Sequence, residues 1–256
     1  MTKGRAIMHT LVFQSYKQKL PYWLHLCQQS VQSWSANHRY DYAFLGDDIF
    51  HFNPPWFDIK VHDRLPIRSD LSRLLYTQSA LHQYERVVWM DIDCFVFAPD
   101  HLILKNEPYT FGQERWIQPH PKKGWKIYNN VCNAFFQFQR KNPFLLFYIE
   151  TAKKMIQRVD KNHIAPQMIG PKLLTALHNI AQLSTTTMIG SASPWLIQEC
   201  AQGGGPLVQH VEKSIVKTPC AALNLCNSLF EEEGTLLKAM AYLKEYGPIG
   251  SKKHKN

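Results

Sequence analysis

Two carboxylates one residue apart, Asp91 and Asp93, stand inside the run Glu85-Arg86-Val87-Val88-Trp89-Met90-Asp91-Ile92-Asp93-Cys94-Phe95-Val96-Phe97. The rest of that run is mostly apolar, β-branched or aromatic, the composition of a strand buried on both faces. A buried carboxylate without a partner is costly enough that it binds a cation or keeps its proton. The pair is therefore expected where the strand leaves the core, at the carboxyl edge of an open α/β sheet, where ligands bind. Side chains two apart on an ideal strand point the same way, so the two can share one divalent cation. Removing either is then expected to leave stability intact or raised, because a like-charge pair is relieved. The plainer alternative is two satisfied aspartates at a strand end.

A helix must lie just upstream. In Leu65-Pro66-Ile67-Arg68-Ser69-Asp70-Leu71-Ser72-Arg73-Leu74-Leu75-Tyr76, Ser69 or Asp70 is of the type that caps a helix. Leu71, Leu74, Leu75 and Leu81 follow at helical spacing and bury one face. A cap there gathers Arg68, Asp70 and Arg73 around the first turn, where free backbone N–H groups favour anions. The two arginines then either position phosphate or pair with Asp70.

This Arg68-Ser69-Asp70-x-x-Arg73 helix, a short turn, and three apolar residues before Asp91-x-Asp93 together resemble the core of the GT-A glycosyltransferases. The chain looks most like glycosyltransferase family 32, the sugar-binding-region group that carries a DXD motif. The resemblance implies an α/β, GT-A domain: a Rossmann-like mixed sheet flanked by helices. It implies one such domain over residues 1–250, with a nucleotide-sugar core at about 5–180, a variable acceptor part at 181–250 and a basic tail at 251–256. It also implies that the helix supports the nucleotide-sugar pocket, with Arg68, Asp70, Arg73 and Asp91 on the donor side. Asp91 and Asp93 would hold Mn2+ or Mg2+, hard cations that prefer oxygen ligands, on the donor's diphosphate. GT-A enzymes commonly add a late ligand, often a histidine, and His210 is the late histidine in an apolar setting.

Composition bounds the rest. The chain has 256 residues, 45% hydrophobic and 19% charged, which suits a globular protein with a full core. No run approaches the roughly 18 apolar residues of a membrane span. The opening apolar stretch is too brief for a signal peptide, so cytoplasmic residence is expected. Six scattered cysteines without C-x-x-C spacing read as buried free thiols rather than a zinc site or disulfide frame. A net charge of +9 favours anionic partners, but it is spread widely, which argues against nucleic acid. Only Ser251-Lys252-Lys253-His254-Lys255-Asn256 concentrates it, giving at most weak peripheral membrane contact.

In chain order, residues 5–14 read as a first strand, and Leu24, Cys27, Val31 and Trp34 as the buried face of a helix. Residues 40–45 read as a second strand and Gly46-Asp47-Asp48 as a surface turn. Nucleotide contacts are expected from Val12 to Gln14. Tyr109 to Gln113 and the second half of Tyr128–Phe138 read as strands, with His120–Gly124 a loop near the acceptor. In the look-alike family an asparagine-containing segment here adjoins the sugar pocket, which points to Asn130 and Asn133. Asn142 can cap a helix with Pro143 at its first position. Gly170-Pro171 resembles the family's helix start, where Gly170 lets backbone approach the donor sugar. Gly203-Gly204-Gly205-Pro206 reads as a hinge, Val208-Gln209-His210-Val211 as a late strand, and Glu231 to Tyr246 as a closing amphipathic helix.

The function implied is metal-dependent transfer of a sugar from UDP or GDP to a glycan, glycolipid or protein acceptor, of the kind used in polysaccharide biosynthesis. The resemblance further implies retention at the anomeric carbon by front-face attack. No residue presents itself in the sequence as nucleophile or general base. Two other readings compete. An apolar strand ending in Asp-x-Asp is also the nucleophile strand of HAD phosphohydrolases, with Asp91 attacking. A relative that binds sugar nucleotides without turning them over would keep the same motifs.

Overall fold

The computed structural model describes residues 8–17, 19–122, 124–214, 218–226 and 232–250. Its elements run β1 Thr10–Gln14, α1 Tyr22–Asn37, β2 Asp41–Phe44, α2 Pro55–Lys60, α3 Leu65–Ala80, β3 Arg86–Met90 and β4 Cys94–Val96. There follow β5 Tyr109–His120, β6 Gly124–Gln139, α4 Pro143–Arg158, α5 Pro171–Ala181, β7 Thr185–Thr186 and β8 Ile189–Ser191. The chain closes with α6 Pro194–Ala201, α7 Pro206–Ser214, β9 Ala222–Asn224 and α8 Glu233–Tyr246.

Six strands form one mixed sheet in the order β2-β1-β3-β6-β5-β7. β1 runs parallel to β2 and β3, while β6 is antiparallel to both β3 and β5. Strand residues alternate between two cores, as the period of two demands. Val12, Val88 and Met90 face one layer with Trp23, Leu24, Cys27, Val31 and Trp34 of α1. Leu11, Phe13, Val87 and Trp89 face the other with Leu71 and Leu74 of α3 and Tyr148 and Ile149 of α4. The protein is thus a single α/β domain, a mixed sheet with helices on both faces, as expected. Asn142 caps α4 by accepting from the Leu145 N–H at 3.1 Å. All six cysteines are free; Cys226 is half-buried and the others are buried. No helix among the described residues is long and apolar enough to cross a membrane.

Four local expectations are corrected. The run Glu85–Phe97 is two strands in two sheets: β3 ends at Met90, and β4 joins a three-stranded sheet in the order β4-β9-β8. The Cys94 N–H donates to the Asp91 carbonyl at 3.0 Å, so a turn separates the strands and the two aspartates do not share one. Helix α3 begins at Leu65, not at Ser69, because Pro66 is preorganised for a first turn. Asp70 is therefore one turn inside the helix and caps nothing. Residues 208–211 are helical, within α7, whose buried Leu207, Val208 and Val211 follow a helical period and leave His210 exposed. Gly203–Gly205 is a packed turn rather than a hinge, since added side chains at Gly204 and Gly205 would strike Tyr242 and Glu199. Residues 5–7 of the expected first strand, Glu231 and the basic tail 251–256 lie outside the described residues.

Candidate active site

The parallel strands β1, β2 and β3 all end on one edge, and the chain leaves β3 there at Asp91. Asp91 and Asp93 are both half-buried in the turn that follows. Although no single strand aligns them, they converge: the Asn224 amide donates to Asp91 Oδ2 at 3.3 Å and to Asp93 Oδ1 at 2.7 Å. Asn224 ends β9, which the small sheet holds beside β4. Gln14, at the end of β1, donates to the Asp91 carbonyl at 3.0 Å and accepts from the Tyr42 hydroxyl at 2.9 Å. Val12, Phe13 and Gln14 are fully buried, so they brace this edge from beneath and present no side chain to a nucleotide. Asp47 and Asp48 are exposed in the short turn after β2.

The second half of the site is a buried ion-pair network. Arg73 donates to Asp91 Oδ1 at 2.8 Å and, on its other side, to Asp70 Oδ1. Trp89 Nε1 also donates to Asp91 Oδ1, at 2.7 Å, and the Arg73 guanidinium lies 5.3 Å from the Trp89 ring centroid. Asn133 Nδ2 donates to Asp70 Oδ1 at 2.9 Å. Burial pushes Asp70 and Asp91 above the usual carboxylate range, with Arg73 pulling against it in both. Burial would lower Arg73, but the two carboxylates outweigh it and raise the guanidinium, which stays charged. Two carboxylates thus share one guanidinium, and with Asp93 beside them negative charge is in excess.

Gly170 closes this network from below. A Cβ at Gly170 would lie 2.5 Å from Asp70 Oδ2 and 2.7 Å from Asn133 Nδ2, closer than packed atoms come. The expected close approach of Gly170 is thus to the Asp70–Asn133 pair. Pro171 opens α5 immediately afterwards. Gly170→Ala is expected to displace both side chains and to cost about 1–3 kcal/mol, the usual penalty of overpacking. Paired denaturant melts of the variant and the wild type check this.

The remaining expected residues are scattered more widely. Arg68 is committed elsewhere: its guanidinium makes a two-pronged pair with Asp58 at 3.1 and 2.9 Å and lies over the Phe50 ring at 4.3 Å. Burial would raise Asp58, but the hydrogen bonds from Arg68 and Asn53 win and hold its carboxyl below the ordinary value. Arg68 therefore anchors α3 and is not in the Asp91 network. Asn130 Nδ2 donates to Glu114 Oε2 at 3.0 Å, on the β5–β6 ribbon. His210 is exposed on α7, and no three described His, Cys, Asp or Glu side chains form a group that could hold a metal ion.

Two site residues went unnoticed in the sequence. Asn224 ends Cys220-Ala221-Ala222-Leu223-Asn224, an apolar run closed by one polar side chain, which is the same signal that marked Asp91. Glu114 left no signal, because a glutamate between Gln113 and Arg115 reads as a solvated strand face. It meets Asn130 directly across the β5–β6 pair. A Cβ at Gly190 would meet the Gln113 carbonyl at 2.9 Å, and one at Gly112 the Ile189 carbonyl at 3.1 Å, so β8 lies tight on β5.

No family model matches the chain, and no curated protein matches it in sequence. Similar solved structures include a glycosyltransferase involved in the glycosylation of the major capsid of PBCV-1, 11% identical with a TM-score of 0.47 over 91% of this chain and 98% of that one. Mouse xyloside xylosyltransferase 1 is 9% identical, with a TM-score of 0.42 over 87% of this chain and 99% of that one. The catalytic domain of Drosophila beta1,4-galactosyltransferase 7 is 14% identical, with a TM-score of 0.36 over 70% and 64%.

Proposed function

We propose that this protein is a metal-dependent glycosyltransferase that moves a sugar from UDP or GDP to a hydroxyl-bearing acceptor. The observation that carries the reading is the convergence of Asp91 Oδ2 and Asp93 Oδ1 on one positively polarised donor, the Asn224 amide, at the sheet's carboxyl edge. Ligands bind at such an edge. Oxygen donors with an excess of negative charge suit a hard divalent cation, Mn2+ or Mg2+. Asp91 and Asp93 would hold that ion, completed by diphosphate oxygens and water. When bound, it neutralises charge on the departing diphosphate.

The chain's own residues do the positioning. Arg73 and Trp89 take up Asp91 Oδ1 and so aim Oδ2 toward Asp93. Asp70 holds Arg73 on one side and Asn133 on the other, which leaves the Asn133 Oδ1 as the atom it can offer a sugar. The resemblance to family 32 implies retention, which the anomeric configuration of the product tests.

The deciding measurement is release of UDP or GDP from a panel of donor sugars, with and without Mn2+. Release that needs the metal supports the reading. A phosphohydrolase would instead trap beryllofluoride on Asp91 and ignore nucleotide sugars. Metal-dependent nucleotide binding with no release at all would mark a binding protein.

A further inference from the structure

An open cavity of about 620 Å³ lies between the C-terminal end of α3 and the start of α4. The turn into α4 follows β6, whose Gln139 is paired with Arg86, the first residue of β3. The cavity is therefore at the opposite sheet edge from Asp91, a strand length of about 16 Å away at 3.3 Å per residue. Leu75, Leu81 and Leu145 line it together with His82, Arg140 and Lys141, and no carboxylate does. Arg140 is fixed through Nε, which donates to the Leu81 and Tyr84 carbonyls at 2.9 and 3.1 Å. Among the described residues, neither its terminal nitrogens nor the Lys141 ammonium has a partner.

The first two turns of α4 add an apolar surface. Pro143, Leu146 and Phe147 share one helix face at i, i+3, i+4 spacing and are all exposed, Leu146 by 55% and Phe147 by 49%. Leu146 also lines the cavity. Large apolar side chains exposed side by side mark a binding surface. Further along that face stand Lys154 and Arg158, both exposed. Residues 140–161 hold six cations, Arg140, Lys141, Lys153, Lys154, Arg158 and Lys161, against Glu150 and Asp160, a net +4 of the chain's +9. Nearly half of the net charge is thus gathered on one helix and the turn before it.

We propose that the α3–α4 cavity and the exposed tip of α4 dock this protein on a bilayer containing anionic phospholipid. A headgroup phosphate occupies the cavity, where Arg140 and Lys141 donate to its oxygens. Arginine's planar fork suits two phosphate oxygens at once. Leu146 and Phe147 enter the boundary between headgroups and acyl chains, while Lys154 and Arg158 stay among the headgroups. Apolar burial and attraction to anionic lipid add in such an arrangement. A nucleic acid fits less well, because a phosphate backbone would leave the leucine and phenylalanine in water. Docked this way, the aspartate edge faces away from the bilayer. The proposal stands whether or not the protein transfers sugar.

Co-sedimentation of the full chain with vesicles tests it, using phosphatidylcholine alone and phosphatidylcholine mixed with phosphatidylserine. The wild type should pellet with the mixed vesicles and stay in solution with phosphatidylcholine. Leu146→Ser with Phe147→Ser, and separately Lys141→Gln with Lys154→Gln, should each lower the partition by about tenfold or more. All four side chains are exposed or lie at the surface turn, so both variants should melt with the wild type. A chain ending at residue 250 should keep most of its binding, because the basic tail is a separate element. Glycerophosphoserine carries the headgroup without acyl chains, so it should displace little of the bound protein. Wild type that stays in solution with the mixed vesicles would overturn the proposal. So would serine variants that pellet as well as wild type, or a loss seen only on removing residues 251–256. Full displacement by glycerophosphoserine would mean a site for a small soluble anion and would also overturn membrane docking.

Discussion

Asp91→Asn is expected to abolish metal-dependent nucleotide release and to destabilise the fold, whereas Asp93→Asn abolishes release at a smaller cost in stability. Both substitutions remove a negative charge from the place where a cation would sit, so the catalytic loss is common to them. The stability effects differ because the two carboxylates are held differently. Asp91 accepts from Arg73 and Trp89 through one oxygen and from Asn224 through the other. Neutralising it weakens a charge-assisted hydrogen bond to a buried guanidinium, worth about 1.5–3 kcal/mol. Asp93 accepts from Asn224 through Oδ1, an atom that asparagine retains. Read as strand neighbours, the pair would have gained stability from either change through relief of like-charge repulsion. The network around Arg73 reverses that sign for Asp91. Nucleotide release together with denaturant midpoints for the two variants checks both halves. Turnover that survives both substitutions would end the glycosyltransferase reading, and equal midpoints would show that Arg73 does not rely on Asp91.

Arg73→Met is expected to produce the largest loss of stability of any single change at the site. Arg73 and Asp70 are each only 5% exposed, and Arg73 serves two carboxylates at once. Removing one partner of a buried pair leaves an uncompensated charge and costs about 3–5 kcal/mol. Against a typical total of about 5–15 kcal/mol, that is enough to leave the protein marginal. For a chain of this length each kcal/mol moves the melting temperature by about 2–4 °C, so a fall of roughly 10 °C follows. Adding Asp70→Asn should recover a large part of the loss, because the stranded carboxylate is gone and Asn133 still finds an oxygen there. Thermal melts of the single and double variants settle it. A single variant that melts with the wild type would mean that Asp70 is already neutral.

Much of this arrangement follows from local pattern. The apolar strand that stops at Asp91, the leucine face of α3, the Asn142 cap and the Gly170-Pro171 helix start are set within a few residues of chain. For such features period, capping chemistry and proline geometry suffice. Boundaries were less secure where two local signals competed. Asp70 looks like a cap, yet Pro66 starts the helix earlier and turns Asp70 inward. Likewise, Val208 to Val211 alternates over too few residues to separate strand from helix, and packing against α6 decided for helix.

The site itself is a product of long-range pairing, to which sequence spacing is blind. Asn224 meets Asp91 across 133 positions only because β9 pairs with β4, the strand reached just after the aspartate turn. Asn133 meets Asp70 because β6 runs antiparallel beside β3, and Gly170 can lie on both because it has no side chain. Likewise β8 can press against β5 only because Gly112 and Gly190 carry no side chain. By itself the sequence determined which residues could carry charge at the end of a buried strand, since burying a carboxylate is costly wherever it occurs. Which partners answer that cost is decided by strand register, and register is a property of the whole sheet.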